Sequence, residues 1–325
     1  MSEAESGLPE VTVLMPVFNG QRYLQRQVAT ILAQQGVDLR LVILDDGSTD
    51  ASFALATDLA AQDGRITLAE RRPNAGLSAA VARLLSFVET PYFAMSDQDD
   101  LWDPDKLARS IAHLETTRAA LVYSDVRLCD EHGVVTDHSY FRSRRLPALE
   151  GTDPLVSVFR NPVLGHTIVA RRSIAEWGRE LPPTLRYYEP WLVAAACRNG
   201  GVAMIKDQLG SYRVHAGNIV GPQRRHRILH LGRAGTVRHL TRRQSNRSNA
   251  LGATAYICPD LAPLTEAYSA TGLRRVVTSL RLAKALRRRC PEVGLPHILR
   301  EAVLSLVWPA PRSPVVGDVA ATCQQ

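Results

Sequence analysis

The most constraining feature of this sequence is an alternation that repeats through residues 11–124. A short apolar run rich in β-branched residues is followed by a polar turn, then by a stretch with helical periodicity. Residues 11–18 (VTVLMPVF) read as a buried strand, and Leu24, Val28, Ile31 and Leu32 then recur at helical spacing. Strands are expected again at 39–44, 66–68, 91–95 and 120–124, with an Ala- and Leu-rich helix at 77–88 between them. Parallel neighbours need a crossover, and a helix is the usual one, so strand–helix–strand order predicts an α/β fold. The expected architecture is a mostly parallel sheet with helices on both faces.

In such sheets ligands lie beyond the carboxyl ends of the strands. Two acidic loops are expected there. The first, DDGSTD at 45–50, ends a strand, and Ser48 or Thr49 is positioned to cap the next helix. The second, SDQDD at 96–100, packs three carboxylates into four residues and is followed by Asp103-Pro104, which reads as a helix start. Carboxylates this close repel unless a cation sits among them, and Mg²⁺ or Mn²⁺ takes such hard oxygen ligands together with substrate phosphates. On its own, each loop reads equally as a solvated or well-capped turn.

Composition narrows the class. The chain has 325 residues, 45% of them hydrophobic, enough for a large core. No run approaches the length of a membrane-spanning helix, and the acidic start (MSEAESGLPE) does not read as a signal peptide, so the expectation is cytoplasmic. Five scattered cysteines form no CxxC pair and support neither a disulfide framework nor a zinc site. Charge is uneven: residues 1–221 carry 22 basic and 27 acidic side chains, residues 222–325 carry 17 and 5. A boundary is therefore expected near Gly221-Pro222, between a body (1–221; donor half about 10–125, acceptor half about 126–221) and a basic, mainly helical region (222–325).

Taken in order, the motifs resemble those of family 2 inverting glycosyltransferases of the GT-A fold. They are VLMPVFNG at 13–20, DDGSTD at 45–50, NAGLS at 74–78 and SDQDD at 96–100. NPVLG at 161–165, EPWL at 189–192 and YRVHAGNIVG at 212–221 are similar to the bacterial rhamnosyltransferase-like branch. The resemblance covers roughly residues 10–221. It implies a nucleoside-diphosphate-sugar donor, with L-rhamnose on dTDP as the branch's sugar and a UDP-hexose as the alternative. By the same resemblance Pro16, Phe18, Asn19, Asp45, Asp46, Gly76 and Asp97 contact the nucleotide sugar, and Asp99 holds the divalent metal.

Direct displacement at an anomeric carbon needs a base on the face opposite the leaving group. The resemblance assigns this to Glu189, at the start of a helix whose N-terminus favours the anion. The branch usually has Asp there, preceded by His and followed by an aromatic; here the sequence is Tyr188-Glu189-Pro190. Asp207 is a poorer rival, expected in a turn after Met204-Ile205. His215 is expected as a further metal ligand or diphosphate contact, Arg213 as a partner of phosphate or a carboxylate. His166 is expected to line the acceptor pocket, and Trp191 to serve as core or acceptor platform.

In the basic region Leu273, Val276, Val277, Leu280 and Leu282 intersperse with arginines, which allows an amphipathic helix. Peripheral contact with the inner face of a membrane, suited to a lipid-linked acceptor, and a simple helical cap are both compatible with that pattern. Nucleic acid is not expected, because no aromatic interleaving accompanies the basic residues. The overall expectation is a metal-dependent inverting transferase of cell-surface polysaccharide synthesis. A silent scaffold of a glycan-assembly complex is the other class. A nucleotidyltransferase would need a Gly-rich basic loop after the first strand, which MPVFNG lacks.

Overall fold

The computed structural model describes residues 7–218, 233–270 and 272–307. The expected boundary at Gly221-Pro222, the basic run 224–227 and Cys323 lie outside them. In chain order the body runs β1 (Glu10–Val17), α1 (Leu24–Leu32), β2 (Asp38–Asp45), α2 (Ser52–Gln62), β3 (Ile66–Leu68), α3 (Leu77–Leu85) and β4 (Tyr92–Met95). It continues with β5 (Leu101–Trp102), α4 (Lys106–Thr117), β6 (Leu121–Cys129), β7 (Val135–Asp137), α5 (Tyr140–Arg144) and α6 (Leu155–Arg160). Then follow β8 (Val169–Arg171), α7 (Arg172–Ala175), α8 (Glu189–Arg198) and β9 (Val202–Arg213). Beyond it lie α9 (Arg233–Ile257), α10 (Ala262–Ser269), α11 (Gly272–Arg289) and α12 (Leu295–Val307).

The strands form one sheet in the order β3-β2-β1-β4-β8-β6-β9-β5, with β7 beside β6. The first four are parallel, as the crossover pattern requires. Beyond them the sheet is mixed: β8 runs antiparallel to both β4 and β6, β9 parallel to β6, and β5 antiparallel to β9. This is an α/β fold around one mixed sheet, parallel in its first half as the sequence order predicts. The short β5 and the long β9 bring the chain after the second acidic loop alongside Arg213.

Alternation along each strand sends side chains to opposite faces. Val13, Met15, Leu41 and Ile43 pack with α1, α2 and α4 in one cluster. Leu14, Val42 and Leu44 pack with α3, α6 and α8 in another. Burial on both faces explains why the strands read as nearly continuous apolar runs. The second cluster also takes in Leu251, Leu261, Tyr268, Leu282, Leu286 and Ile298, so the C-terminal helices share the core of the body.

Three local expectations are corrected. Helix α2 starts later than Ser48 or Thr49 would cap it: Ala51 precedes it without a side-chain cap, and Asp50 Oδ1 instead accepts from the Ser52 N–H at 3.0 Å. Helix α4 starts at Lys106, and Asp103, rather than capping it, pairs with Arg127. Asp207 is not in a turn but on β9, where it is exposed and paired with Arg109; it is remote from any base role.

Candidate active site

Because β1, β2 and β4 are parallel, their C-terminal ends and both acidic loops emerge at one edge. The loop after β1 is stapled to DDGSTD by reciprocal hydrogen bonds. The Asn19 N–H donates to Ser48 Oγ (2.9 Å), the Thr49 N–H to Asn19 Oδ1 (2.8 Å) and the Gly20 N–H to Ser52 Oγ (2.8 Å). Asn19 holds a left-handed backbone, φ 51°, which Asn tolerates better than most residues. Phe18 stays nearly half exposed (46%), with an aromatic face free at the edge.

Asp45 is fully buried. Its Oδ1 accepts from the Ser48 N–H and from Arg71 Nε (3.2 Å), while Oδ2 has no partner. Asp46 is occupied: its two oxygens accept from the N–H groups of Ala75 (2.9 Å) and Gly76 (3.0 Å), fixing the 74–76 loop. Gly76 has φ 89°, and a Cβ there would meet open space, so its backbone conformation alone explains the glycine. Pro16 lies in β1, half-buried.

The second acidic loop is tied to the loop after β1 by Gln98, a residue given no role in the sequence reading. Its Oε1 accepts from the Phe18 N–H (2.9 Å) and its Nε2 donates to the Phe18 carbonyl (3.1 Å). Asp99 Oδ2 lies 2.8 Å from His215 Nε2, with both side chains 14% exposed. Tyr23, also unassigned, packs at a tilt against His215, 4.8 Å between ring centroids. The fully buried Arg213 clamps this loop from behind. Its N–H donates to Asp100 Oδ1 (3.0 Å), its Nε to the Asp99 carbonyl (2.8 Å) and its Nη1 to the Glu131 carbonyl (2.9 Å). Arg213 therefore holds loop backbone and Asp100 instead of standing open to a phosphate.

His166 does not line an open pocket. It is buried against Tyr212, with Nδ1 3.1 Å from Asp100 Oδ2 and 3.3 Å from Asp97 Oδ2. Burial pushes the Asp100 carboxyl up to about 7. Burial works against a charged His166, but the facing Asp100 and Asp97 outweigh it and raise the imidazole. Both shifts favour the protonated forms of Asp100 and His166. Below it, the buried Lys106 donates from Nζ to the His166 carbonyl (2.6 Å) and lies 3.7 Å from the Trp102 ring centroid, with burial lowering it to about 7.

Glu189 opens α8, with Pro190 in the first turn. Glu189 is half-buried as a residue, its Oε2 is shielded from solvent without a partner, and Asp97 and His166 both act on it electrostatically. Burial raises its pKa to about 7. Gly165 makes this approach possible: a Cβ there would lie 2.1 Å from the Tyr188 hydroxyl and 3.5 Å from Glu189 Oε1. Trp191 takes the core alternative and not the platform. It is fully buried, donates to the Trp177 carbonyl (2.9 Å) and stacks on Tyr256.

The site thus gathers Asp97, Asp99, Asp100, His166, Glu189 and His215 at the edge where the first loops form a closed cradle. Among the described residues, ligand atoms of Asp97, Asp100 and His166 all lie within 4.8 Å of one another. The Asp99–His215 pair combines a hard carboxylate, which suits Mg²⁺ or Mn²⁺, with an imidazole, which favours the transition metal Mn²⁺.

Comparison with known proteins agrees with this architecture. EpsE of Bacillus subtilis (strain 168), provisionally named a glycosyltransferase, is 34% identical over 167 residues, 51% of this chain and 57% of that protein. This chain spans about half to two thirds of the length of such relatives. S. aureus TarS 1-349, solved in complex with UDP-GlcNAc, superposes with a TM-score of 0.52 at 13% identity, covering 91% of this chain and 89% of that one. The mannosyltransferase PcManGT from Pyrobaculum calidifontis, solved with GDP-Man and Mn²⁺, gives 0.54 at 17% identity, covering 93% and 88%. The profile described as Glycosyl transferase family 2 matches residues 12–174, just over half of the sequence. With the motifs, the sheet and the acidic edge already in hand, that match makes this chain a member of glycosyl transferase family 2.

Proposed function

We propose that this chain transfers a sugar from a nucleoside diphosphate to a hydroxyl of a glycan or lipid-linked glycan, with inversion at the anomeric carbon. The observation that carries the reading is Glu189: a half-buried residue whose shielded Oε2 is unpartnered and which feels the charge of Asp97 in the acidic loop. An unsatisfied buried carboxylate costs stability, and its retention makes sense if an acceptor hydroxyl completes it.

In this reading Glu189 accepts the proton of the incoming hydroxyl. The oxygen forms its bond to the anomeric carbon as the bond to the diphosphate breaks, and that electron pair leaves with the phosphate. Asp97 and Asp45, together with Pro16, Phe18 and Asn19, face the nucleoside and ribose. Asp46 and Gly76 contribute by shaping the cradle. His166 already lies against Asp97 and Asp100 through Nδ1, which leaves the Asp99–His215 pair as the residues that would hold Mg²⁺ or Mn²⁺. Bound there, such an ion would neutralise the charge of the departing diphosphate. Arg213 keeps both ligand-bearing loops in register.

The branch motifs favour dTDP-L-rhamnose as donor. A UDP-hexose is the second reading, favoured by the UDP-GlcNAc bound to TarS, which shares the fold. The test is a melting-temperature screen against dTDP-rhamnose, UDP-hexoses and GDP-mannose with Mn²⁺, followed by NMR of the product anomer. A ligand that binds only the folded state raises its melting point. A donor that shifts melting and yields the inverted anomer supports the reading; a retained anomer, or no shift with any donor, overturns it.

A further inference from the structure

Exposed aliphatic side chains are concentrated on two helices. On α11, Leu273 is 80% and Leu280 60% exposed, and Val276 and Val277, between them in sequence, are 41% and 43% exposed. On α12, Leu295, Leu299 and Val303 are each 52–55% exposed. Positions 273, 276, 277 and 280 fall on one helical face, as do 295, 299 and 303. The sequence placed Leu282 in the same stripe, but it is buried in the core, with Leu286 beneath the helix. The two helices form a hairpin, held by Ser305 Oγ on Ser279 Oγ (2.9 Å) and by Arg275 Nε donating to the Ser305 carbonyl (2.9 Å).

Helix α11 carries no acidic residue. Arg281, Lys284, Arg287 and Arg288 are exposed, and by helical spacing they extend the apolar face of its first half. None of the described helices is long and apolar enough to cross a membrane. Apolar side chains bordered by unopposed cations match the boundary layer of an anionic bilayer, where alkyl groups enter the acyl region and cations meet phosphates. A water-facing surface gains nothing from seven such side chains.

We infer that the α11–α12 hairpin is a peripheral docking surface for anionic lipid bilayers. The inference is independent of the transfer chemistry, because none of these residues touches the acidic edge.

The test is co-sedimentation of the full chain with phosphatidylglycerol-containing vesicles and with pure phosphatidylcholine vesicles. Pelleting is expected with the first, weakening as salt rises. The triple variant Arg281→Gln/Arg287→Gln/Arg288→Gln is expected to lose about a hundredfold in apparent affinity, about fivefold for each cation removed. The variant Leu273→Asn/Leu280→Asn/Leu299→Asn is expected to lose at least about tenfold while its melting temperature and donor-induced melting shift match the parent. Absence of pelleting with anionic vesicles, or equal pelleting of parent and both variants, overturns the inference. So does a two-copy mass in sedimentation equilibrium that reverts to one copy in the leucine variant without a change in vesicle binding, which would give the face to a second copy. Because donor shifts are read on the same variants, failure here leaves the transfer reading standing, and the reverse.

Discussion

The two sides of the active edge are built on opposite principles. Around the ends of β1 and β2, almost every polar group is satisfied within the protein: Asn19, Ser48, Ser52, Asp46 and Gln98 form a closed set of hydrogen bonds between loops. Around Glu189 and His166, polar atoms are buried and left without partners, and the carboxyls of Glu189 and Asp100 are pushed up to about 7. The first side is a preformed cradle whose shape is fixed before a ligand arrives. The second keeps unsatisfied groups at the cost of stability, as the proposed transfer asks of its reacting groups. Asp45 is the exception on the cradle side, with a buried oxygen free.

The sharpest way to break this contrast is Glu189→Gln. Removing only the proton acceptor is expected to lower turnover by about 10²–10⁴-fold, with the donor-induced melting shift retained. Near-parental turnover in a steady-state assay would remove Glu189 from the chemistry. Next is Asp99→Asn, expected to weaken Mn²⁺ binding by at least about tenfold in calorimetry, since the charged ligand of the Asp99–His215 pair is lost. An unchanged titration would move the cation elsewhere, the Asp97–Asp100–His166 group being the alternative.

The pH dependence probes the same carboxyl twice. A base must be ionised, so kcat/KM is expected to rise as pH increases through about 7, following Glu189. Its stability effect has the opposite sign. A folded-state pKa raised from 4.5 to about 7 favours folding while the group is protonated. That contribution is complete below about 4.5 and is lost as pH rises to about 7. Glu189→Gln should therefore melt like the parent at the acid end and higher above neutrality, by about 2–4 °C for each kcal/mol relieved. A parallel pair of melting curves across the range would contradict the burial argument. The smallest effect is expected at the cradle: Gln98→Ala removes two hydrogen bonds between loops, worth about 1–2 kcal/mol together. It should lower the melting temperature by a few degrees and raise the KM for donor more than it lowers kcat.

Much of the parallel half was legible because its signals are local. Short β-branched runs, helical spacing and acidic turns at strand ends specify β1 to β4 and put both loops at one edge. Ser48 was misread as a cap because a hydroxyl near a helix start has two uses, and its partner, the Asn19 N–H, is 29 residues away. Gln98 and Gly165 lie inside quoted motifs and Tyr23 outside them, but none was given a role, since each acts through a contact with a distant segment. Asp207 read as a turn residue because nothing near it announces a strand as long as β9.

By itself the sequence determined the order of elements, the family and the residues able to carry charge at the active edge, since periodicity and motif chemistry depend only on near neighbours along the chain. Tertiary structure decided which of those charges are buried, paired or left open. His166 became the partner of Asp97 and Asp100, Trp191 went to the core, Arg213 became a clamp, and Leu282 turned inward while Leu273 and Leu280 stayed outside. Desolvation and pairing depend on what packs from elsewhere in the chain, and that is fixed only when the sheet closes and the helices settle on it.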